Sequence, residues 1–243
     1  MNANRQSPLA NITPVVKNLL IINLIFYLAF VLFDHGNNIG PVTKIFGAYY
    51  FDSPYWRPWQ IITHMFMHGS FEHILFNMFG LFSFGPIVES YIGSKKFFNM
   101  YFICGIGAIV IQTFVQAIEV YHLTGAFTIS SPLIDESYFR AAGNNAQQLY
   151  NIYHISTVGA SGAIVGMVVV FAMLFPELEL MMLFIPIPIK AKYFVPGFIL
   201  LELFSGFRNV AGDNVAHFAH LGGALLGFIV IKVWKLKGPS NFF

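Results

Sequence analysis

Apolar runs of membrane-spanning length are the feature that most restricts how this chain can fold. Hydrophobic residues make up 56% of its 243 residues, and charged residues only 10%. Soluble domains carry about 25% charged residues. A helix that crosses the hydrocarbon core needs roughly 20 mainly apolar residues, and several runs approach this length. The sequence therefore predicts an integral membrane protein.

Six such runs are separated by polar or turn-forming stretches. They cover residues 15–33, 70–88, 97–118, 157–175, 193–207 and 215–233. Backbone polar groups find no water in the bilayer core, so each run is expected to form an α-helix. The predicted fold is an all-α bundle of six transmembrane helices over residues 15–233, with a segment at 1–14 and a tail at 234–243.

The basic residues indicate which way the bundle faces. Nine of the 13 Lys and Arg residues fall on the side that carries both termini, and the other four fall on the opposite side. Because positive residues concentrate on the cytoplasmic side, both termini are predicted to be cytoplasmic. The net charge of +2 is too small to suggest a nucleic-acid partner, and the expected environment is the lipid bilayer. A compact six-span chain with no transit-peptide pattern favours a bacterial inner membrane.

Two long connections are predicted on the outer side, at residues 34–69 and 119–155. The first contains Tyr-Trp-Arg-Pro-Trp at 55–59, and aromatic residues at this density are typical of the membrane interface. The second is expected to be an extramembrane loop with a short helix at about 135–150 and no catalytic part. The apolar residues 180–189 are too few and too rich in proline to cross the membrane.

Three of the runs carry polar side chains at similar depth from the outer surface. Ser161 lies about four residues into the fourth run, His220 about five into the sixth, and Asn77 about seven into the second. At about 1.5 Å per residue, these depths are roughly 5–12 Å. His73 and Asn77 are four residues apart, so they share one helix face. These four side chains are therefore expected to meet.

The residue types suit attack by a serine on a carbonyl group. A serine hydroxyl needs a base within hydrogen-bond reach. His220 is the candidate base, and His217, one turn earlier, is its rival. His73, Asn77 and a backbone N–H near Ser161 can stabilise the negative oxygen of a tetrahedral intermediate.

Small residues in the sixth run predict how the helices come together. Gly223 and Gly227 form a GxxxG step, and close helix packing there would bring His220 to Ser161. The one cysteine, Cys104, excludes an intrachain disulfide and is expected to be a small core residue.

The sequence resembles the rhomboid family of intramembrane serine proteases over nearly all of its length. The matching motifs are Gly159-Ala160-Ser161-Gly162, His73-Ile74-Leu75-Phe76-Asn77, Trp56-Arg57 and His220-Leu221-Gly222-Gly223-Ala224-Leu225-Leu226-Gly227. This resemblance implies a Ser161–His220 catalytic dyad without a carboxylate third member, and it selects His220 over His217. It also implies an oxyanion site made by His73, Asn77 and the Ser161 backbone N–H.

The same resemblance implies what the protein acts on. It would be a serine endopeptidase that cleaves single-span, membrane-anchored proteins near the outer face of the membrane, with no metal and no cofactor. The fifth span would act as a lateral gate, and its short length, with Pro196 and Gly197, suits a loosely held helix. One departure is Val165, which stands where family members often carry an aromatic residue that packs against the base. The source of His220 orientation is therefore open.

Two alternatives stay open at this stage. A metal-dependent protease or metal transporter would use the histidines His64, His68, His73, His217 and His220, although the sequence has no HExxH motif. A non-enzymatic rhomboid-like protein would bind membrane helices without cutting them, and Val165 is the feature that keeps this alternative open.

Overall fold

The computed structural model of this chain is mostly helical and describes residues 12–129, 146–182, 185–208 and 216–239. Six longer helices occupy the positions of the six apolar runs. They are α1 Pro14–Phe33, α4 Phe71–Ile92, α5 Ser94–Thr124, α7 Ser161–Leu174, α8 Ala191–Arg208 and α9 His217–Val233. The shorter helices are α2 Pro41–Phe46, α3 Gln60–Thr63, which a 3-10 turn at His64–Phe66 continues, and α6 Ala146–His154. The prediction of a helical membrane protein is confirmed.

Three of these helices, α1, α4 and α5, are long and apolar enough to cross a membrane. Helices α7 and α9 are apolar but contain only 14 and 17 residues. Ten residues of α7 are buried by its neighbours, and the helix packs against α4, α5 and α9. A helix that is apolar all round is typical of such a central position, where protein rather than lipid surrounds it.

Glycines bring the backbones of α7 and α9 together. A Cβ atom added to Gly223 or Gly227 would overlap the carbonyl group of Gly162 or Gly166. A Cβ atom on Gly166 would in turn lie 2.6 Å from the carbonyl oxygen of Gly223. Small residues at such positions let membrane helices approach closely. The close packing predicted for the Gly223–Gly227 step is confirmed, and Gly162 and Gly166 form a matching step that the sequence reasoning missed.

A buried carboxylate near the C-terminal end of α4, remote from His73, forms hydrogen bonds with two other helices. Glu89 is 1% exposed. Its oxygens accept hydrogen bonds from the backbone N–H groups of Val15 at 3.0 Å and Val16 at 2.9 Å, and from the Ser94 hydroxyl at 2.6 Å. The two N–H groups belong to the N-terminus of α1, where a negative charge is favourable. Glu89 therefore joins α1, α4 and α5.

The fourth helix begins later than the sequence predicted. The prediction started it at residue 157, whereas α7 starts at Ser161. Thr157 instead pairs with Ala48 in an antiparallel bridge. Gly159 then adopts a φ of +126°, a conformation that glycine reaches without the steric cost of a side chain. The chain therefore turns from extended to helical immediately before Ser161.

The prediction of an all-α fold is wrong in one segment. Most of residues 180–189 belong to an antiparallel hairpin of β1 Glu179–Met182 and β2 Ile185–Lys190. Pro186 and Pro188 cannot donate the hydrogen bonds of a helix interior, and the isoleucines that alternate with them favour extended backbone. Both effects oppose a helix, so the segment pairs with itself as a hairpin.

The helix predicted in the second long connection is displaced along the chain. It was expected at about residues 135–150, and the structure has α6 at Ala146–His154. Residues 135–145 lie outside the described residues, as do the first 11 residues of the segment at 1–14 and residues 240–243 of the tail.

The glycine contact predicts a difference between two glycine-to-alanine substitutions. Gly227→Ala should lower the free energy of unfolding by about 1–3 kcal/mol, because the new methyl group overpacks against the α7 backbone. Gly197→Ala in α8 is the matched control, since nothing lies within 4 Å of its Cβ position. This control should be neutral or stabilising by up to about 1 kcal/mol. Denaturant unfolding of the detergent-solubilised protein measures both, and equal effects would contradict the prediction.

Candidate active site

Ser161 is the first residue of α7, held by a loop that contacts the first long connection. The Gly159 N–H donates to the carbonyl oxygen of His64 at 2.9 Å. Thr157 and Ala48 exchange two backbone hydrogen bonds, of 2.7 and 3.0 Å. These contacts fix the backbone on the N-terminal side of Ser161, and the α7 helix fixes the other side. The serine therefore sits at a rigid junction.

The N-terminus of α7 creates a positive potential beside the Ser161 hydroxyl. The first hydrogen bond of the helix runs from the Ile164 N–H to the Ala160 carbonyl oxygen at 3.0 Å. The N–H groups of Ser161, Gly162 and Ala163 precede it and have no helical carbonyl to bond. Together with the helix dipole, such groups favour a negatively charged ligand atom. The place is suited to an oxyanion.

His220 is the histidine that the structure brings to Ser161. Its Nε2 lies 2.8 Å from the Ser161 Oγ, which is within hydrogen-bond distance. Both residues are only partly buried, so a reacting group can reach them. The contact follows from the glycine packing of α7 against α9, because Ser161 precedes Gly162 and His220 lies one turn before Gly223.

Glu202 is the residue whose contact with the site sequence reasoning missed. It projects from α8, is 7% exposed, and places its Oε2 3.0 Å from the Nδ1 of His220. The same oxygen lies 2.8 Å from the Nδ1 of His217. His217, the rival candidate for the base, is thus a partner of the carboxylate. A lone glutamate within an apolar helix is costly and often functional, and that signal could have found it.

The two predicted oxyanion donors lie on α4 with different surroundings. A Cβ atom built on Gly159 would lie 2.6 Å from His73 Nε2 and 3.5 Å from Ser161 Oγ, so the His73 ring faces the serine loop. Asn77 is buried and donates an amide N–H to the His73 carbonyl oxygen at 2.9 Å. The Ser70 hydroxyl accepts from the His73 N–H at 3.1 Å, so Ser70 is the N-cap of α4.

His64 and His68 are buried supports of this site. The Nδ1 of His64 lies 2.9 Å from the Gln60 carbonyl oxygen, and the rings of His68 and His73 lie edge to face with centroids 5.0 Å apart. Burial lowers the pKa of His64 to about 4 and that of His68 to about 3. Both are therefore neutral at pH 7, and His68 packs against His73.

A metal-dependent protease or metal transporter would need several metal-ligating side chains around one position. In the ranges described, no group of three His, Cys, Asp or Glu side chains is arranged to hold a metal ion. The five histidines divide into His64, His68 and His73 around the start of α4, and His217 and His220 on α9, where both bond Glu202.

Comparison with known proteins gives one family. A family model described as Rhomboid domain matches residues 55–235. Rhomboid protein 1, mitochondrial, of Saccharomyces cerevisiae is 25% identical over 183 residues, which cover 73% of this chain and 42% of that protein. Rhomboid-like protein 11, chloroplastic, of Arabidopsis thaliana is 26% identical over 231 residues, which cover 91% and 65%. Putative rhomboid protease YdcA of Bacillus subtilis is 37% identical over 43 residues, which cover 18% and 22%. The chain spans about half the length of the curated relatives it matches first, between 42% and 65%.

Burial of His64 and His68 predicts that the free energy of unfolding decreases as the pH is lowered. An unfolded histidine has a pKa of about 6.5, so between about pH 6.5 and 4 the unfolded state binds more protons than the folded state. Stability is therefore full above this range and is lost as the pH falls through it, by up to about 1.4 kcal/mol per pH unit for each histidine. Denaturant unfolding in detergent from pH 7 to pH 4.5 measures the slope.

Two variants separate this cause from general acid sensitivity. His64→Gln should give a shallower dependence on pH than wild type, because one buried group no longer titrates on unfolding. His122→Gln, at an exposed position in α5, should keep the wild-type slope. Equal slopes in all three proteins would contradict the prediction.

Proposed function

The chain belongs to the rhomboid family, and on that premise we propose that it is an intramembrane serine endopeptidase. The observation that carries the proposal is the 2.8 Å contact between His220 Nε2 and Ser161 Oγ, at a helix N-terminus suited to an oxyanion. A serine and a histidine at hydrogen-bond distance form the minimal arrangement for activating a serine nucleophile.

The proposed reaction is acyl transfer through the serine. His220 Nε2 takes the proton as Ser161 Oγ attacks the peptide carbonyl, and it then gives the proton to the leaving amine. The Ser161 N–H, His73 and Asn77 stabilise the negative oxygen. Water then hydrolyses the acyl-enzyme by the same proton transfers. No metal or cofactor takes part in this scheme.

Substrates are proposed to be single-span membrane proteins that enter sideways from the bilayer. Helix α8 is the candidate gate, because Pro196 interrupts its hydrogen bonding and large apolar side chains such as Leu200 and Phe207 are exposed on it. At about 1.5 Å per residue, the 14 residues of α7 span only about 21 Å, less than the roughly 30 Å of the hydrocarbon core. Ser161 at the end of α7 is therefore proposed to lie below the outer surface, where water can reach it.

The six helices and the distribution of basic residues support a proposed topology. It has six crossings over residues 15–233, outer connections at 34–69 and 119–155, and both termini in the cytoplasm. The expected bacterial inner membrane is not supported, because the four relatives matched over most of this chain carry mitochondrial or chloroplastic in their names. Fractionation of the cells that produce the protein identifies its membrane.

Substitution of the serine and the histidine tests the proposed reaction. Ser161→Ala and His220→Ala should each reduce cleavage of single-span reporter proteins in liposomes by at least about 10²-fold. The first variant loses the proposed nucleophile, and the second loses the proposed base. EDTA should have no effect. Ser90→Ala and His122→Ala, at exposed positions, are the matched controls and should cut at the wild-type rate.

The same experiment separates the alternatives. Cleavage by Ser161→Ala would overturn the serine mechanism. A wild-type protein that binds single-span reporters, cuts none of them and resists labelling by a fluorophosphonate would favour the rhomboid-like protein that binds membrane helices without cleaving them.

A further inference from the structure

We infer that Glu202 is a positioning residue that completes Ser161 and His220 as a carboxylate–histidine–serine triad. The inference rests on the proposed function, and it departs from the dyad that the sequence predicted. The three side chains come from three helices, with Glu202 on α8, His220 on α9 and Ser161 on α7.

The two nitrogens of the His220 ring bond different partners on opposite sides. Nδ1 lies 3.0 Å from Glu202 Oε2, and Nε2 lies 2.8 Å from Ser161 Oγ. An ionised carboxylate only accepts hydrogen bonds, so the Nδ1 of His220 must carry the proton. Nε2 of a neutral ring then has its lone pair directed at the Ser161 hydroxyl, which is the tautomer that a general base requires.

Glu202 is itself held in place by a second histidine. His217 lies three residues before His220 on α9, and its Nδ1 lies 2.8 Å from the same carboxylate oxygen. Two ring N–H groups therefore anchor one oxygen atom. This anchoring supplies the orientation that Val165 cannot give, because valine offers no aromatic ring for His220 to pack against.

The carboxylate also matches the charge that develops during the reaction. When His220 takes the serine proton, the ring becomes a cation beside the Glu202 oxygen. Glu202 is 7% exposed, and a charge pair interacts more strongly where water is largely excluded. The apolar surroundings that make an isolated carboxylate costly thus favour the transition state over the resting state.

Glu202→Gln and Glu202→Met test the inference in the full-length protein in liposomes. Gln keeps the shape but loses the charge, and Met keeps a similar volume but removes the acceptor. Both should lower kcat for a single-span reporter by about 10²-fold, with KM changed less than about twofold. Labelling of Ser161 by a fluorophosphonate should slow in parallel, and this readout needs no identified substrate.

The matched control is Glu89→Gln. Glu89 is a second buried glutamate, but it caps α1 and touches no part of the site. This variant should lower the unfolding temperature while keeping kcat within about twofold of wild type. If Glu202 had only a structural role, its variants would behave like Glu89→Gln. The inference is therefore overturned if Glu202→Gln and Glu202→Met both keep kcat within twofold of wild type.

A spectroscopic measurement decides the point without cleavage. Nitrogen-15 NMR of labelled histidine rings should show His220 protonated at Nδ1 in the wild type and a mixture of tautomers in Glu202→Met. A wild-type His220 protonated at Nε2 alone overturns the inference even if a variant fails to fold. Failure of the proposed function is distinct, since it appears as a Ser161→Ala variant that still cuts.

Discussion

The close contact between the backbones of α7 and α9 is the interaction on which the rest of the site depends. Lipid tails are as apolar as leucine, so membrane helices gain little by hiding apolar side chains from each other and associate through close packing. Gly223 and Gly227 provide that packing, since any side chain there would overlap the α7 backbone. Ser161 and His220 lie directly before the contact on their helices, so the packing that stabilises the bundle also sets the distance between them.

The first long connection holds the other half of the site. The backbone carbonyl oxygen of His64 accepts a hydrogen bond from the Gly159 N–H, and Ala48 pairs with Thr157. The loop before Ser161 is therefore held at two points. His68 packs against His73 and is fully buried. Burial keeps His64 and His68 neutral, because a charge at either position would lose its hydration. The helices thus supply Ser161 and His220, while the connection orients the loop and the His73 ring around them.

Local patterns in the sequence predicted much of this arrangement. Apolar runs located the six longer helices, and a polar residue within such a run marked Ser161, His73 and His220 as candidate site residues. The start of α7 was missed because it depends on the pairing of Thr157 with a distant residue. The hairpin was missed because hydropathy alone does not separate a short apolar strand from a helix. The role of Glu202 was missed, since its rotation about α8 is set by packing against α9, which periodicity does not specify.

In the proposed enzyme, the position of Glu202 on α8 couples substrate entry to catalysis. If α8 is the gate, moving it away from α9 breaks both hydrogen bonds to Glu202. Hydrogen bonds to a charged group contribute about 1.5–3 kcal/mol each, so opening at this point costs several kcal/mol and leaves His220 without its orienting partner. A substrate that displaces the Glu202 end of α8 therefore meets an incompletely oriented base. Productive cleavage requires α8 to dock again on α9, or to bend at Pro196 so that the Glu202 end stays in place while the other end moves.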